Sequence, residues 1–520
     1  MIVLWGSNAR EAHPIFFHHL MKGVRNGAKM YTIDPRRTTS AQWADTWMGL
    51  RVGTDIALSN AVGREIIAQD LHNKDFIAHS TSGFEAYAAK VESYTLEYAE
   101  EITGVPAGAI QQLAHDYATA ETAQLCWVLG ITEHHNGTDN VLSLIDLALL
   151  TGHVGRYGSG LVPIRGQNNV QGGGDMGGLP NKFPGYQDVE NPAAHAKFEE
   201  AWGAELNPHN GRHISLMFDA MEEGVIRGLY VLGENPAQSE ADADRIRKLL
   251  SNLEFMVVQD IFLTKTGEMA DIVLPAAVGW AESEGTVTNS ERRVQRVRAA
   301  LEPPGEARHD HEIIAMLAGE MGHDWGLPTA NEIWDELRSL SPMHHGMSYE
   351  RLEDLGGIQW PCPTLDHPGT QFLHSWLWED PMPREPAPFK PVNYSPPIDP
   401  LSDDYPIRLT TGRRLDSYNT GVQSGGYESP LRHGGVIDIA PKDATRLGVA
   451  EGELVRISSR RASIDVPVRL DGALRPGLAF MSLHHPDEVD VNRLTIDAWD
   501  PQAGTAEFKA TAIRIDKITA

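Results

Sequence analysis

The sequence predicts a multidomain α/β protein, with parallel-sheet domains followed by a C-terminal β-barrel, and three observations predict it. A β-α-β unit opens the chain: a strand over 2–5, a helix over 11–24 and a strand over 29–33, with polar residues where each strand ends. A second unit of the same make lies at 228–258. Beyond a stretch rich in Pro, Asp and aromatics at 360–406, short strands alternate with Gly and Asp turns, the pattern of a barrel rather than an open sheet.

Composition narrows the function. At 520 residues the chain is too long for one core, and 41% apolar with 22% charged residues describes an ordinary globular protein. A net charge of −27 argues against nucleic acid and anionic membrane surfaces as partners. With two cysteines, Cys126 and Cys362, there is no disulfide framework and no four-thiolate site for an iron–sulfur cluster. No apolar run reaches membrane-spanning length, and Met1-Ile2-Val3-Leu4-Trp5 reads as a buried strand rather than a leader, so a cytoplasmic location is expected.

In order, the first strand ends at Gly6-Ser7-Asn8 and the second at Asp34-Pro35-Arg36. GxGxxG is absent, so nicotinamide binding is not indicated. Asp34 suits a nucleotide ribose or base; the plainer alternative is a turn-forming Asp before proline. Gly53-Thr54-Asp55 introduces a helix over 56–69, and helices continue to about 122. A strand over 124–129 is ended by Gly130, His134-His135 follow where they could line a site, and a helix spans 140–150.

The segment 164–180 then packs six glycines, two asparagines, two glutamines, Arg165 and Asp175 with no helical or strand period. Glycines let a backbone approach a ligand, amides supply paired donors and acceptors, and the arginine fork suits a carboxylate or phosphate. A glycine-rich surface loop is the bland alternative. An irregular region covers 181–213, and strand 228–232, turn Gly233-Glu234-Asn235-Pro236, helix 240–250 and strand 255–258 with Gln259-Asp260 complete the second unit. The two units align: Gly6-x-Asn8 matches Gly233-x-Asn235, the spacing to Asp34 and Asp260 differs by a single residue, and Thr38/Thr264 and Asp45/Asp271 follow at identical offsets. Such internal symmetry points to two similar nucleotide crevices.

A strand over 271–275 and a polar loop over 280–286 precede Arg292, Arg293, Arg296 and Arg298, which read as a solvated face or as a dock for an anionic group or partner. His309-x-His311 opens a helix over 312–321, where an i, i+2 pair would splay its rings apart, so no metal site is expected there, nor at His344-His345 or His484-His485. The expected domains are 1–166, 167–358, a connector at 359–405 and a barrel at 406–520. In the barrel, strands are expected over 406–410, 436–439, 453–458, 463–468 and 478–481, a turn over 411–414, a short helix over 442–447 and a last strand over 505–513.

The strings Gly6-Ser7-Asn8, Asp34-Pro35-Arg36, the Arg165 loop, Leu232-Gly233-Glu234-Asn235-Pro236, the Gln259-to-Thr266 run, Thr411-Gly412-Arg413, Asn492-Arg493-Leu494-Thr495 and Glu507-Phe508-Lys509 occur in family order. Together they resemble the formate dehydrogenase branch of the molybdopterin oxidoreductases over essentially the whole chain. The resemblance implies a bis-molybdopterin guanine dinucleotide cofactor carrying molybdenum or tungsten. Gly6, Asn8, Glu11, Asp34, Arg36, Asp55 and Gly130 would hold one arm, and Gly233, Asn235, Gln259, Asp260 and Thr264 the other. The barrel, of double-psi type, would add Thr411, Gly412, Arg413, Asn492, Phe508 and Lys509.

By position Arg165 matches the family's active-site arginine, which orients formate, and Gln167 would sit against a pterin. The implied partners are formate and an electron-accepting iron–sulfur or flavin subunit. Family members carry an iron–sulfur motif and a metal-ligating cysteine or selenocysteine ahead of the segment matching Met1. The chain is therefore expected to be the downstream part of a longer reading frame, with the cluster confined to that region, and its activity alone is doubtful. Where many relatives have a histidine after the segment matching Thr411, this chain reads Ser417-Tyr418-Asn419. Two other readings stay open. One is a cofactor-free scaffold of the same fold, which Arg165, Gln167 and both nucleotide units argue against. The other is a relative acting on nitrate or another oxyanion.

Overall fold

A computed structural model describes residues 1–415, 417–420 and 434–518. The chain divides into two compact units, one made of Met1–Ile164, Gln238–Asp244 and Phe372–Ala520, the other of Arg165–Ala237 and Arg245–Gln371. The stretch expected as a connector divides between them at Phe372.

The first unit is built on a five-stranded parallel sheet in the order Thr46–Met48, Met30–Ile33, Ile2–Trp5, Gln124–Trp127, Gly160–Pro163. Its three inner strands are apolar and almost wholly buried because helices cover both faces, as a parallel sheet requires. The helix Asp55–Ala68 is buried nearly all round and packs with Gly137–Thr151 and Ala107–Thr119 into one core with Trp5, Tyr31 and Leu125.

In the same unit six strands close a barrel in the order Ile407–Gly412, Leu478–Ser482, Ile437–Ile439, Ser463–Leu470, Leu454–Ser458, Thr511–Lys517. Two of its pairings are parallel, Ile407–Gly412 with Leu478–Ser482 and Ile437–Ile439 with Ser463–Leu470, and the others are antiparallel. Inward side chains such as Leu409, Ile437, Val455, Val466 and Ile513 fill it. Closure leaves no strand edge unpaired.

The second unit holds a three-stranded parallel sheet in the order Ile272–Pro275, Phe255–Asp260, Gly228–Leu232. Ile246, Leu249 and Leu250 of the helix Ala243–Ser251 join Val231, Met256 and Val258 in its core cluster. An antiparallel sheet of Gly285–Thr288, Arg293–Val297 and Ile358–Gln359 completes it.

Several elements differ from expectation. The helix expected over 11–24 is two helices, Ala9–Ala12 and Pro14–Arg25, because Pro14 lacks the N–H to continue the first turn and starts a new helix instead. Gly130 does not end a strand; it lies in the short helix Leu129–Thr132. Within the glycine-rich segment Val170–Asp175 is helical, and two of its glycines serve close packing rather than irregular backbone: a Cβ on Gly172 would meet Asn169 Oδ1 at 2.0 Å and one on Gly174 would meet Tyr186 OH at 2.7 Å. The region 181–213 contains the helix Pro192–Trp202, capped by Asn191, whose Oδ1 accepts from Ala193 N and Ala194 N, and held by Phe198 stacking on Phe183.

Residues 285–286 of the expected polar loop and Arg293 and Arg296 of the arginine run lie in the strands of a hairpin. The stretch 280–284 holds a turn, and Arg298, beyond the strand, is exposed as a solvated face would have it. Arg296 lies 3.4 Å over the Tyr349 ring and pairs with Glu353 and Glu284, and Arg292 donates to Trp360 O, Thr370 O and Gln371 O. His309 caps its helix rather than lying in it, and its ring stacks on that of His311 with centroids 5.7 Å apart. Thr411 and Gly412 finish a strand and are not a turn. The last strand begins at Thr511, because 505–510 carries side chains bonded elsewhere, described below. No helix among the described residues is long and apolar enough to cross a membrane.

Candidate functional site

The first crevice forms where the sheet order reverses, between Ile2–Trp5 and Gln124–Trp127, since the connection from each strand's carboxyl end departs to a different side. There Gly6, at φ +59°, meets Gly130: a Cβ on Gly130 would lie 2.5 Å from Gly6 O. Ser7 is buried beside them, and its Oγ has no hydrogen-bond partner among the described residues. Asn8 Oδ1 accepts from Ser40 N at 3.2 Å and Ser40 Oγ at 2.9 Å, and Thr39 Oγ1 bridges Asn8 and Glu11. Asp34 Oδ1 takes the Arg36 N–H at 2.9 Å. Burial pushes the Asp34 carboxyl up to about 6, with Arg36 pulling the other way.

Arginines gather over this edge. The Arg36 guanidinium lies 3.6 Å from the Phe480 ring centroid, and a Cβ on Gly412 would come within 3.0 Å of Phe480, so a side chain there would crowd the stack. Asn8, Glu11, Arg36, Arg37, Arg414 and Arg469 help to line a cleft of about 390 Å³. Fully buried Asp438 fixes two of them, accepting both bonds of the Arg469 fork at 2.7 Å and Arg414 Nη2 at 2.6 Å. Arg413 instead stacks over Tyr418 and bonds Asn419, two residues from the string that departs from many relatives.

Residues 505–510 join the barrel end to the turn after Gly130. Buried Glu507 accepts from His135 N at 3.1 Å and faces the Nδ1 atoms of His134 at 3.3 Å and His135 at 3.4 Å. Burial opposes charge on His134, but the Glu507 carboxylate raises its proton affinity above the usual histidine value. Burial likewise works against a charged Glu507; the His134 charge and the bonds from both histidines overcome it and hold Glu507 well below the carboxylate range. Lys509 pairs with Glu133 at 2.6 Å and donates to Thr411 O, Phe508 N donates to Glu133 O, and Thr411 Oγ1 donates to Phe508 O. Asp55 is buried, its carboxyl raised by burial, and accepts from Trp5 Nε1 at 2.8 Å. Asn492 points its amide N–H groups at Gln238 O and Ser239 O; its buried Oδ1 has no hydrogen-bond partner among the described residues.

The second unit repeats several bonds of the first crevice. Asn235 Oδ1 accepts from Thr266 N at 3.1 Å and Thr266 Oγ1 at 2.9 Å, as Asn8 does from Ser40. Thr264 Oγ1 takes the Gly267 N–H as Thr38 takes that of Ala41, and Asp271 takes the Met256 N–H as Asp45 takes that of Met30. Gly233 sits at φ +64°, the counterpart of Gly6. Asp260 Oδ1 accepts from Ile261 N and Phe262 N, and burial raises its carboxyl. Gln259 is fully buried between Tyr230 and Asp310. Arg165 is part-buried, with Nη1 to Gln171 Oε1 at 3.4 Å and Nη2 to Val170 O at 3.5 Å, while Gln167 is exposed.

The geometry therefore places Gly6, Asn8, Glu11, Asp34, Arg36, Asp55, Gly130, Thr411, Gly412, Arg413, Asn492, Phe508 and Lys509 in one unit, and Arg165, Gln167, Gly233, Asn235, Gln259, Asp260 and Thr264 in the other. Sequence reasoning missed Arg37, Arg414, Arg469, Asp438 and Phe480. A cleft lined by five arginines, Arg10, Arg36, Arg37, Arg414 and Arg469, suits the pyrophosphate of a dinucleotide. Elsewhere in the same unit, the Gly6–Gly130 contact and the buried Ser7 Oγ and Asn492 Oδ1 leave room and polar atoms for the rest of such a ligand. An iron–sulfur cluster does not fit this chain. Both cysteines are buried and unpaired, burial pushes the Cys126 thiol up to about 12, and no group of three or more metal-ligating side chains occurs among the described residues.

Comparison with known proteins agrees. Residues 1–320 match the family model Molybdopterin oxidoreductase, and residues 407–512 the model Molydopterin dinucleotide binding domain. The chain is 41% identical to the F420-dependent formate dehydrogenase 2 subunit alpha of Methanococcus maripaludis, over 100% of this chain and 76% of that protein. It is 39% identical to formate dehydrogenase H of Escherichia coli, over 100% of this chain and 73% of that one. Among solved structures, the acetylene hydratase from Pelobacter acetylenicus superimposes with a TM-score of 0.75 at 22% identity, over 99% of this chain and 78% of the other, which speaks to fold alone.

Proposed function

The chain belongs to the molybdopterin oxidoreductase family, and on that premise we propose that it is the catalytic subunit of a formate dehydrogenase. The observation that carries the reading is the match, over 100% and 99% of this chain and 76% of each relative, to two F420-dependent formate dehydrogenase alpha subunits. In the reaction the C–H bond of formate breaks, carbon dioxide and a proton leave, and two electrons pass to an iron–sulfur or flavin acceptor subunit. When bound, a bis-molybdopterin guanine dinucleotide centre with molybdenum or tungsten supplies the two-electron acceptor.

The protein's own part is binding, orientation and electrostatics. Asn8, Asp34 and Arg36, joined by Arg37, Arg414 and Arg469, hold one dinucleotide arm, and Asn235, Asp260 and Thr264 the other. A carboxylate at Asp34 or Asp260 accepts from guanine or ribose donors, and the arginines neutralise pyrophosphate. Thr411, Gly412, Arg413, Asn492, Phe508 and Lys509 bring the barrel's contribution, with Lys509 fixed by Glu133. Arg165 presents its fork to the formate carboxylate, and Gln167 contacts the pterin. A cytoplasmic location completes the proposal.

Arg165→Lys in the complete enzyme keeps the charge and loses the fork. The expected result is a loss of at least about tenfold in kcat/KM for formate at unchanged metal content. Near-normal kinetics would remove Arg165 from the substrate site.

A further inference from the structure

Among the buried carboxylates that the proposed reaction does not use, Asp175 stands nearest the glycine-rich loop's arginine in the bond network. Asp175 is fully buried at the end of the glycine-rich helix Val170–Asp175. Its Oδ1 accepts from Gln171 Nε2 at 2.8 Å and its Oδ2 from Trp360 Nε1 at 2.8 Å. Gln171 turns its other end to the active-site arginine, Oε1 accepting from Arg165 Nη1, and its Nε2 also reaches Tyr186 OH at 3.3 Å. A second pin holds the same loop, since Thr288 N donates to Asn169 Oδ1 at 2.9 Å. Behind Asp175 stands His344, fully buried, its Nε2 3.9 Å from Asp175 Oδ2 and its Nδ1 on Ser341 Oγ. Burial pushes this imidazole down to about 4, so at neutral pH it brings no positive charge to compete for the carboxylate.

The bonds run in one direction of constraint. Trp360 lies on a segment 185 residues along the chain and fixes Asp175, Asp175 fixes the Gln171 amide, and the Gln171 amide oxygen fixes the guanidinium. The guanidinium also donates to Val170 O and faces Tyr186 OH, itself bonded by Gln171, so the Gln171–Asp175 pair helps to settle which rotamer the side chain keeps, and a substrate as small as formate offers a single carboxylate with which to select one. We propose that Gln171, Asp175 and Trp360 are positioning residues that set the orientation of the Arg165 fork and so determine how tightly formate is held. The proposal rests on Arg165 being the formate-binding arginine.

The test uses the holoenzyme with Gln171→Leu and Trp360→Phe, and Arg165→Lys as reference. Formate KM and kcat are measured per mole of bound metal, and [13C]formate affinity is read from NMR line broadening without electron acceptor. Positioning predicts that Gln171→Leu raises KM and the dissociation constant together by about tenfold, the size of one weakened charge-assisted hydrogen bond, and that Trp360→Phe moves both the same way. Activity that falls only in step with metal content, with KM and affinity unmoved, would reduce the three residues to packing and overturn the proposal. Should Gln171→Leu fail to fold, Trp360→Phe, which keeps an aromatic ring and removes the N–H donor, decides alone. If Gln171→Leu and Trp360→Phe are silent while Arg165→Lys weakens formate binding, positioning fails and the formate reading stands; if Arg165→Lys is itself silent, both fall.

Discussion

Gly6 and Gly130 touch backbone to backbone at the carboxyl edge of the first sheet, so closely that a Cβ on Gly130 would sit 2.5 Å from Gly6 O and 2.7 Å from Gly6 Cα. The neighbour is main chain at the bend that follows a packed strand, which cannot swing aside as a side chain could. Gly130→Ala should therefore cost about 1–3 kcal/mol of stability and narrow the crevice. Thermal denaturation of the full chain checks the first effect and retained cofactor the second; a variant with normal melting and full cofactor would show that this edge yields more easily than its geometry implies.

Asp34 gives a pH dependence with a definite sign. Its folded pKa, about 6, lies above the ordinary 3.8, so between these values the folded protein holds a proton that the unfolded chain has released. Stability from this group is thus lost as pH rises from about 4 to about 6, by up to roughly 3 kcal/mol. Asp34→Asn should flatten that part of the curve and melt higher at pH 7 without cofactor, yet bind cofactor about 1–3 kcal/mol less well. A variant that gains stability and keeps its cofactor would confine Asp34 to the turn.

The ion pair of His134 and Glu507 works at both ends of the scale. His134 is raised, so its share of stability is present below the ordinary histidine value and lost as pH climbs through the raised one. Glu507 is depressed, so its share is present above the ordinary glutamate value and lost as pH falls through the lowered one. Glu507→Gln breaks a buried pair and should cost about 3–5 kcal/mol near neutrality. Melting curves across pH should also lose their alkaline slope; an unchanged slope would assign it to other groups.

How much of this was legible in the sequence follows from how local each signal is. The repeat Gly-x-Asn…Asp…Thr…Asp was readable because each residue acts within its own unit, and the bonds of Asn8 and Asn235, Thr38 and Thr264, Asp45 and Asp271 fall in register. The helix Val170–Asp175 was hidden because its glycines look like a loop until Asn169 and Tyr186 are seen pressed against them. Arg469 and Asp438 lie on neighbouring barrel strands and Arg414 follows a third, so no linear spacing announces that they meet, and the cleft's five arginines come from four separate places in the chain. Glu507 was placed in a strand by its alternating neighbours; its two histidine partners lie more than 370 positions away.

The arginine cleft supports a final prediction that needs no catalysis. Arg36 is braced by the Phe480 ring, and Arg469 and Arg414 by Asp438, so their charges are held facing a common space before any ligand arrives. A prearranged set of guanidiniums should bind a free dianion without the entropy cost of gathering long side chains. Inorganic pyrophosphate is expected to raise the melting temperature of the full chain at low ionic strength, with the shift fading as salt screens the exposed part of the cleft. Arg36→Gln should weaken that shift directly. Asp438→Asn should lower the baseline stability by about 3–5 kcal/mol, since it leaves buried cations without their anion. A pyrophosphate shift that survives Arg36→Gln undiminished would move the anion site away from this edge of the sheet.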